Sequence, residues 1–244
     1  MHESLESIRK TIYEGGSGWW FEDVEVLDDP SLKSYSVQGK CHFNIKFESE
    51  LILDNYDLKI QFPYSYPKEL PRVWETGGRI PNHDEYHNSA DTGMCLATPA
   101  ELRRYIYQDG SLKFFIQDFV VQFLYAYSYR LKHKVYPWPT QAHNYNGILD
   151  DFRELFYLQD NCQTELFLRT IYKHNRKALK KHKYCPCKSG KRFWQCHKRH
   201  YDDMCKYYKH KDFVRDLERN YRLIDYLLRT QSQFLPITSK VLFK

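Results

Sequence analysis

Apolar residues at the start of the chain are spaced first as in a helix and then as in strands. Leu5, Ile8 and Ile12 lie three or four positions apart, which predicts a short amphipathic helix over residues 1–14, ended by the glycines that follow. Strand-like runs then occupy residues 20–26, 35–48 and 51–61. The segment KCHFNIKF alternates polar and apolar residues as a half-buried strand does. We therefore expect an antiparallel meander behind the first helix.

The next stretch, residues 62–110, lacks a clear period and is rich in proline, asparagine and histidine. This composition predicts a long irregular loop, and such loops are often functional. Helical spacing returns at Ser111, a predicted N-cap, after which an aromatic residue recurs every fourth position from Phe115 to Tyr127. Pro137 and Pro139 close this helix. Further helices are predicted near residues 147–158, 164–181 and 201–229.

These patterns predict an α+β protein whose helices pack on one side of the meander, followed by a helical C-terminal region. We place the first domain at residues 1–160 and the second at 161–244. Aromatic residues make up 17% of the chain, which favours a folded protein over a disordered one. The sequence contains no run of 18 apolar residues, and its charged first segment does not resemble a secretory signal. We therefore expect a cytoplasmic protein without a membrane partner.

Three of the seven cysteines cluster with a histidine in the segment CPCKSGKRFWQCH. Cys185 and Cys187 can grip one ion from a tight turn, and Cys196 with His197 can complete a tetrahedron. Four sulfur and nitrogen ligands with no open position predict one structural zinc ion rather than a catalytic one. Cys205, on the helix that follows, is an alternative to His197.

This segment resembles the SEC-C motif, C-x-C-x-S-G-x-x-x-x-x-C-[CH], which ends the bacterial secretion ATPase and is appended to many bacterial proteins. The matching residues are Cys185, Cys187, Ser189, Gly190, Cys196 and His197. The resemblance implies zinc-dependent contact with a protein or ribosomal partner, and it implies no reaction.

The formal net charge of +6 is concentrated between Lys173 and Lys211. A basic block of this kind binds nucleic acid or an acidic protein face, or it is simply a solvated surface beside the metal site. The sequence leaves these alternatives open.

Cys95 lies near the end of the irregular loop, in the polar run NHDEYHNSADTGMC. His83, His87 and Asn88 lie 12, 8 and 7 positions before it. The arrangement predicts a thiol nucleophile with hydrogen-bond donors nearby, and an ordinary buried thiol is the alternative.

The same region resembles the ubiquitin-conjugating enzyme family. Its motif F-P-x-x-Y-P-x-x-P-P is matched at Phe62, Pro63, Tyr66, Pro67 and Pro71, and its motif G-x-[IL]-C-L is fitted by residues 93–96. The order of elements also matches over residues 1–160. The resemblance implies that Cys95 accepts the C-terminal carboxyl group of a protein modifier as a thioester, which a lysine amine of an acceptor protein then attacks.

One position departs from the family pattern. The family supports the oxyanion with an asparagine eight residues before the cysteine, and His87 occupies that position here. His87, Asn88 or Asn82 is therefore expected to supply the donor.

The resemblance also implies partners. Some prokaryotic members belong to anti-phage operons of the CBASS type, where the modifier is a cyclic-oligonucleotide synthase, a nucleotidyltransferase. Others accompany ubiquitin-like proteins and activating enzymes. Two other functions stay open, namely a non-catalytic adaptor with the same fold and a basic zinc-containing protein that binds nucleic acid or ribosomes.

Overall fold

The computed structural model describes residues 4–66, 69–138, 144–178 and 183–219. The chain divides into two compact units, Met1–His143 and Asn144–Lys244, and each is described by itself. Pro67, Pro139 and the predicted helical residues 1–3, 179–181 and 220–229 lie outside the described residues. In the described part of the chain, no helix combines the length and apolarity needed to cross a membrane.

A four-stranded antiparallel sheet forms the centre of the first unit. Its strands are β1 (Trp19–Asp29), β2 (Ser34–Phe47), β3 (Glu50–Pro63) and β4 (Arg72–Glu75), and they lie in sequence order. Val37 pairs with Ile60 and Cys41 pairs with Tyr56 across the two central strands, and all four side chains are fully buried. The sheet therefore confirms both the predicted meander and the mixed α+β class.

Helices cover the buried face of the sheet. Helix α1 (Leu5–Glu14) begins at Ser4, whose hydroxyl accepts a hydrogen bond from the Ser7 N–H, and it buries Ile8 and Ile12. Its end at Gly15 has φ +66°, a conformation that costs glycine little. These features confirm the predicted first helix.

A long helical run crosses the core at residues 112–133. It consists of α3 (Leu112–Phe115), a π-helical segment (Ile116–Val121) and α4 (Gln122–His133). The Ser111 hydroxyl accepts a hydrogen bond from the Phe114 N–H, which confirms the predicted N-cap. Phe115, Phe119 and Tyr127 are buried as expected, but Phe123 is only half-buried and Leu124 is fully buried. Ile116 and Val120 lie in the same row as Leu124 and are also fully buried, so the apolar face continues through the π turn.

The prediction that residues 62–110 form an irregular loop was wrong. They contain β4, a 3₁₀ turn (Asp84–Tyr86), a small hairpin of β5 (Asn88–Ser89) and β6 (Gly93–Met94), and helix α2 (Pro99–Gln108). Helix α2 has a clear N-cap, because Thr98 accepts a hydrogen bond from the Glu101 N–H and Pro99 opens the first turn.

The second unit is helical. It contains α5 (Asn144–Phe156), α6 (Asn161–Ala178), a 3₁₀ turn (Phe193–Gln195), α7 (Lys198–Tyr207) and α8 (His210–Arg219). The division therefore falls before α5, whereas the sequence placed the boundary at residue 160. The physical reason is that Phe152 of α5 packs against Tyr208 and Phe213, and Phe156 packs against Phe167.

The single final helix expected from residue 201 is instead broken in two. Tyr208 takes an extended conformation after α7, and its ring is buried between Phe152 and Phe213. The packing of Tyr208 against Phe152 of α5 thus interrupts a helix that the local apolar spacing predicts to be continuous.

Candidate functional site

Cys95 directly follows the small hairpin of the first unit. Asn88 pairs with Met94 across this hairpin, and the Cys95 N–H donates a hydrogen bond of 2.7 Å to the carbonyl oxygen of His87. His87 itself has a left-handed backbone, with φ +50°, at the end of the 3₁₀ turn. The fold therefore holds Cys95 and His87 next to each other through their main chains.

Gly93 allows the hairpin to lie in close contact with β4 of the sheet. Its φ is +82°, and a Cβ atom there would lie 2.3 Å from the carbonyl oxygen of Val73 in β4. Any side chain at this position would push the hairpin away from β4. The short distance between the Cys95 loop and the sheet thus depends on a glycine.

The buried side chain of Asn88 connects the Cys95 hairpin to the preceding loop. Its side chain is 4% exposed, and its Nδ2 atom donates to the Ile80 carbonyl at 3.0 Å and to Asn82 Oδ1 at 3.1 Å. The structure thus brings Asn88 and Asn82 together. Both amide hydrogens of Asn88 are used by these bonds, whereas Asn82 is exposed and contributes its oxygen to the pair.

The two cysteines of the first unit have different surroundings. Cys41 is fully buried in the core, and desolvation raises the pKa of its thiol to about 12. Cys95 is exposed at the surface, although the protein around it still desolvates the thiol and raises its pKa. Cys95 is therefore reachable from solvent but stays protonated at neutral pH.

A polar network anchors the segment that leads into this loop. Arg79, next to Ile80, makes two hydrogen bonds of 2.8 and 3.1 Å to the Asp54 carboxylate, which also accepts one from the Ser128 hydroxyl at 2.7 Å. The Arg79 guanidinium lies 4.2 Å from the centre of the Tyr56 ring, and Tyr127 donates to the Arg79 carbonyl at 2.9 Å. The network ties the loop to both β3 and α4.

The network also sets the charge state of its carboxylate. Burial works against ionisation of Asp54, but the hydrogen bonds from Arg79 and Ser128 outweigh it and lower the pKa of the carboxyl group. The sequence alone did not identify these residues as part of the site. The sequence did contain one signal, because the charged residue Asp54 lies on the same face of β3 as buried Ile52 and Tyr56.

An open recess of about 390 Å³ adjoins the loop on the solvent side of the sheet. Lys59, Gln61 and Trp74 line one part of it, and Asn82 and Asn88 line another. The recess is therefore continuous with the residues that hold the Cys95 hairpin.

The second unit contains a Cys3His cluster of Cys185, Cys187, Cys196 and His197. Their four ligand atoms lie within 4.8 Å of one another. The His197 Nδ1 atom is 3.1 Å from the sulfurs of Cys185 and Cys196, and the sulfurs of Cys187 and Cys196 are 3.6 Å apart. The cluster can hold one metal ion, and the four predicted ligands are those that the structure brings together.

Zinc fits this donor set. Tetrahedral zinc bonds of about 2.0–2.3 Å separate neighbouring ligand atoms by roughly 3.3–3.8 Å. The distance between the sulfurs of Cys187 and Cys196 falls in this range, and the two distances from His197 Nδ1 are slightly shorter. The Ser189 hydroxyl lies 3.2 Å from Cys187 Sγ and 3.4 Å from Cys196 Sγ, so it can donate to either sulfur as a thiolate. Cys205 lies on α7 and does not belong to the cluster.

The surroundings shift the pKa values of the ligands in different directions, and burial raises the pKa of the Cys185 thiol. Burial, reinforced by nearby His200, lowers the pKa of His197 and keeps its ring neutral, and the ring also hydrogen-bonds to the backbone of Phe156. Burial opposes ionisation of Cys187, but its hydrogen bonds with Ser189 outweigh this and lower the pKa of the thiol. The hydrogen bond of His197 to the Phe156 backbone fixes the tautomer that a histidine ligand needs.

A short hairpin shapes the cluster. The Cys185 N–H donates to the Lys191 carbonyl, and the Phe193 N–H donates to the Lys183 carbonyl. The turn between them reverses through Lys188 and Gly190, whose φ angles are +59° and +74°. Phe193 is 1% exposed and anchors the hairpin against Phe167 and Tyr201.

Comparisons with protein-family models, with curated proteins and with solved structures found no match to this chain. The interpretation of both sites therefore rests on their residues and geometry.

Proposed function

We propose that the protein is a conjugating-type transferase that carries the C-terminus of a protein modifier as a thioester on Cys95. The observation that carries this proposal is an exposed thiol held at the end of a hairpin that buried Asn88 and Gly93 fix against the sheet. Further support comes from the order of elements, since a short helix and a four-stranded meander precede Cys95 and helices follow it.

The chemistry consists of two acyl transfers. In the first, the Cys95 sulfur attacks the modifier's thioester carbonyl, the bond to the donor sulfur breaks, and the Cys95 proton passes to that sulfur. In the second, an acceptor amine attacks the new thioester, an amide bond forms, and Cys95 leaves as a thiolate that regains a proton from the amine. A thiol with a raised pKa is a poorer leaving group, which lengthens the life of the thioester before the acceptor arrives.

We assign different roles to the three polar residues near Cys95. Asn82 is the proposed oxyanion donor, because only its oxygen is engaged by Asn88. Asn88 positions the loop, since both of its N–H groups are bound within it. His87 holds Cys95 through its carbonyl group, and the recess between Trp74 and Asn82 accommodates the extended tail of the modifier.

The second unit is proposed to hold one structural zinc ion at the Cys3His cluster. Its four protein ligands leave no open coordination position, so the ion stabilises the fold and takes no part in acyl transfer. The proposed setting is bacterial anti-phage defence, in which a ubiquitin-like protein or a nucleotidyltransferase serves as the modifier. A protein acceptor and an activating enzyme complete this proposal.

A trapping experiment tests the transferase. The purified chain is mixed with ATP and the proteins encoded beside its gene, and the products are separated on gels with and without a thiol reductant. We expect a reductant-sensitive adduct that is absent from Cys95→Ala. In Cys95→Ser the adduct becomes an oxygen ester and survives the reductant.

The matched control is Cys162→Ser, which removes an exposed cysteine of the second unit and should leave the adduct unchanged. If no partner combination yields an adduct, and Cys95→Ser retains the protein's activity in cells, the transferase proposal is refuted. The raised pKa of Cys95 would then fit the alternative of a non-catalytic adaptor.

A further inference from the structure

The hairpin of the Cys3His cluster turns two aromatic rings toward solvent. Tyr184 is 61% exposed and Trp194 is 55% exposed, although they flank the buried Cys185 and Phe193. Tyr184 pairs with Arg192 across the hairpin, so these two side chains share its outer side. Trp194 follows Arg192 by two residues, which limits the distance between their Cα atoms to about 7 Å.

An arginine already lies on one of these rings. The Arg192 guanidinium is 4.5 Å from the centre of the Tyr184 ring. A guanidinium stacked on an aromatic ring presents a flat cationic surface on which a nucleobase can stack. The packing of the protein core does not explain this arrangement, because both side chains point away from the buried residues.

The charged residues of the segment that carries the rings are all basic. Between residues 183 and 201 the sequence has no acidic residue, and its six lysine and arginine residues are Lys183, Lys188, Lys191, Arg192, Lys198 and Arg199. Lys198 pairs with Asp202 at the start of α7. Three thiolates and one zinc ion would contribute a single negative charge, so the hairpin stays strongly basic when metal is bound.

We propose that this surface, comprising Lys183, Tyr184, Lys188, Lys191, Arg192 and Trp194, binds single-stranded nucleic acid. We call it the knuckle surface. The lysines contact phosphates, and the rings of Tyr184 and Trp194 stack on bases. Exposed rings distinguish this proposal from attraction to an acidic protein, because carboxylates gain little from an aromatic face whereas every base can stack on one.

The test is binding of a fluorescent oligouridylate of about 12 nucleotides to the zinc-loaded full chain, followed by fluorescence anisotropy. We expect the Tyr184→Ala/Trp194→Ala double variant to bind at least roughly tenfold more weakly. Lys188→Glu should weaken binding and flatten its dependence on salt between about 50 and 200 mM.

Matched variants separate stacking from loss of fold. Trp194→Phe keeps a ring and should bind nearly as well as the wild type, whereas Trp194→Leu should not. Tyr13→Ala removes a ring that is 66% exposed in the first unit and should have no effect. Zinc content and thermal unfolding of each variant establish that the knuckle surface is intact.

Two results would overturn the proposal. One is an affinity that is unchanged when both rings are removed, and the other is equal competition by polyglutamate of the same charge. Either would identify a general electrostatic surface suited to an acidic protein. Cys95→Ala should bind RNA as the wild type does, so this inference stands or falls separately from the transferase.

Discussion

Replacing Asn88 by alanine should destabilise the first unit and change the reactivity of Cys95. The substitution removes two hydrogen bonds, but their loss is not equally costly. Ile80 is 2% exposed, so its carbonyl would be left buried without this donor, which costs about 1–3 kcal/mol. Asn82 is exposed, and its oxygen can accept a bond from water instead. We therefore expect the free energy of unfolding to fall by about 2 kcal/mol.

The same change should make Cys95 more reactive at moderate pH. The hairpin that Asn88 holds is part of the protein that desolvates this thiol and raises its pKa. A looser hairpin admits water, which lowers the pKa toward the ordinary value and increases the thiolate fraction. Alkylation by iodoacetamide at pH 8 should therefore be faster in Asn88→Ala than in the wild type.

Urea titration measures the first effect, and the distribution of tryptophans allows it to report on one unit. The chain has five tryptophans, of which only Trp194 lies in the second unit. In a Trp194→Phe background, tryptophan fluorescence therefore follows the first unit alone. Alkylation is followed by mass spectrometry of the peptide that contains Cys95.

Asn82→Ala is the control, because water can replace its exposed oxygen as the acceptor for the Asn88 N–H, so the change should cost less than about 1 kcal/mol. A loss below about 0.5 kcal/mol in Asn88→Ala, with unchanged alkylation, would refute the assignment of Asn88 as the residue that holds the loop.

Three other predictions concern single groups. Asp54→Asn should cost the first unit about 1.5–3 kcal/mol at pH 7. The pKa of Asp54 is lower in the folded state than in the unfolded state. The stability that the wild type gains over Asp54→Asn is therefore complete above the unfolded pKa and disappears as the pH falls through the folded pKa. Urea titrations that show the same difference in unfolding free energy at pH 7 and pH 2 would contradict the network. The alkylation rate of Cys95 should reach half its maximum at a higher pH than that of N-acetylcysteine amide measured alongside, and a lower midpoint would reject the raised pKa. Removing zinc with a strong chelator, or replacing Cys187 by serine, should abolish the cooperative unfolding of the second unit in calorimetry. Adduct formation at Cys95 should persist, and its loss after mild chelation would show that the two units are not independent.

The sequence predicted those parts of the structure that are determined by residues close together in the chain. Strand β2 alternates because one face of its sheet meets the core and the other meets solvent, so KCHFNIKF was informative. The metal ligands lie within 13 positions and converge through one turn, so their spacing alone indicated the cluster. Helix α2 was predictable from Thr98-Pro99 with Glu101, but the loop-like composition around it hid this signal.

Other features depend on contacts between distant parts of the chain. The role of Asn88 depends on a carbonyl oxygen at Ile80, and no pattern of side chains reveals where a main-chain carbonyl will point. The break after α7 depends on Phe152, more than 50 positions earlier in the chain. The Asp54 network joins β3 and α4 to the loop at Arg79, and only the packing of α4 against β3 brings Ser128 to the carboxylate.

The close contact between Gly93 and β4 also predicts which residues of this protein can change during evolution. Since even a methyl group would lie 2.3 Å from the Val73 carbonyl, no lineage that keeps the hairpin in place can replace this glycine. Asn88 is constrained as well, because its two bonds need an amide of this length. Homologues that have diverged elsewhere should therefore share an asparagine seven positions and a glycine two positions before the cysteine. This sparse pattern offers a way to recognise relatives when the overall sequence no longer aligns.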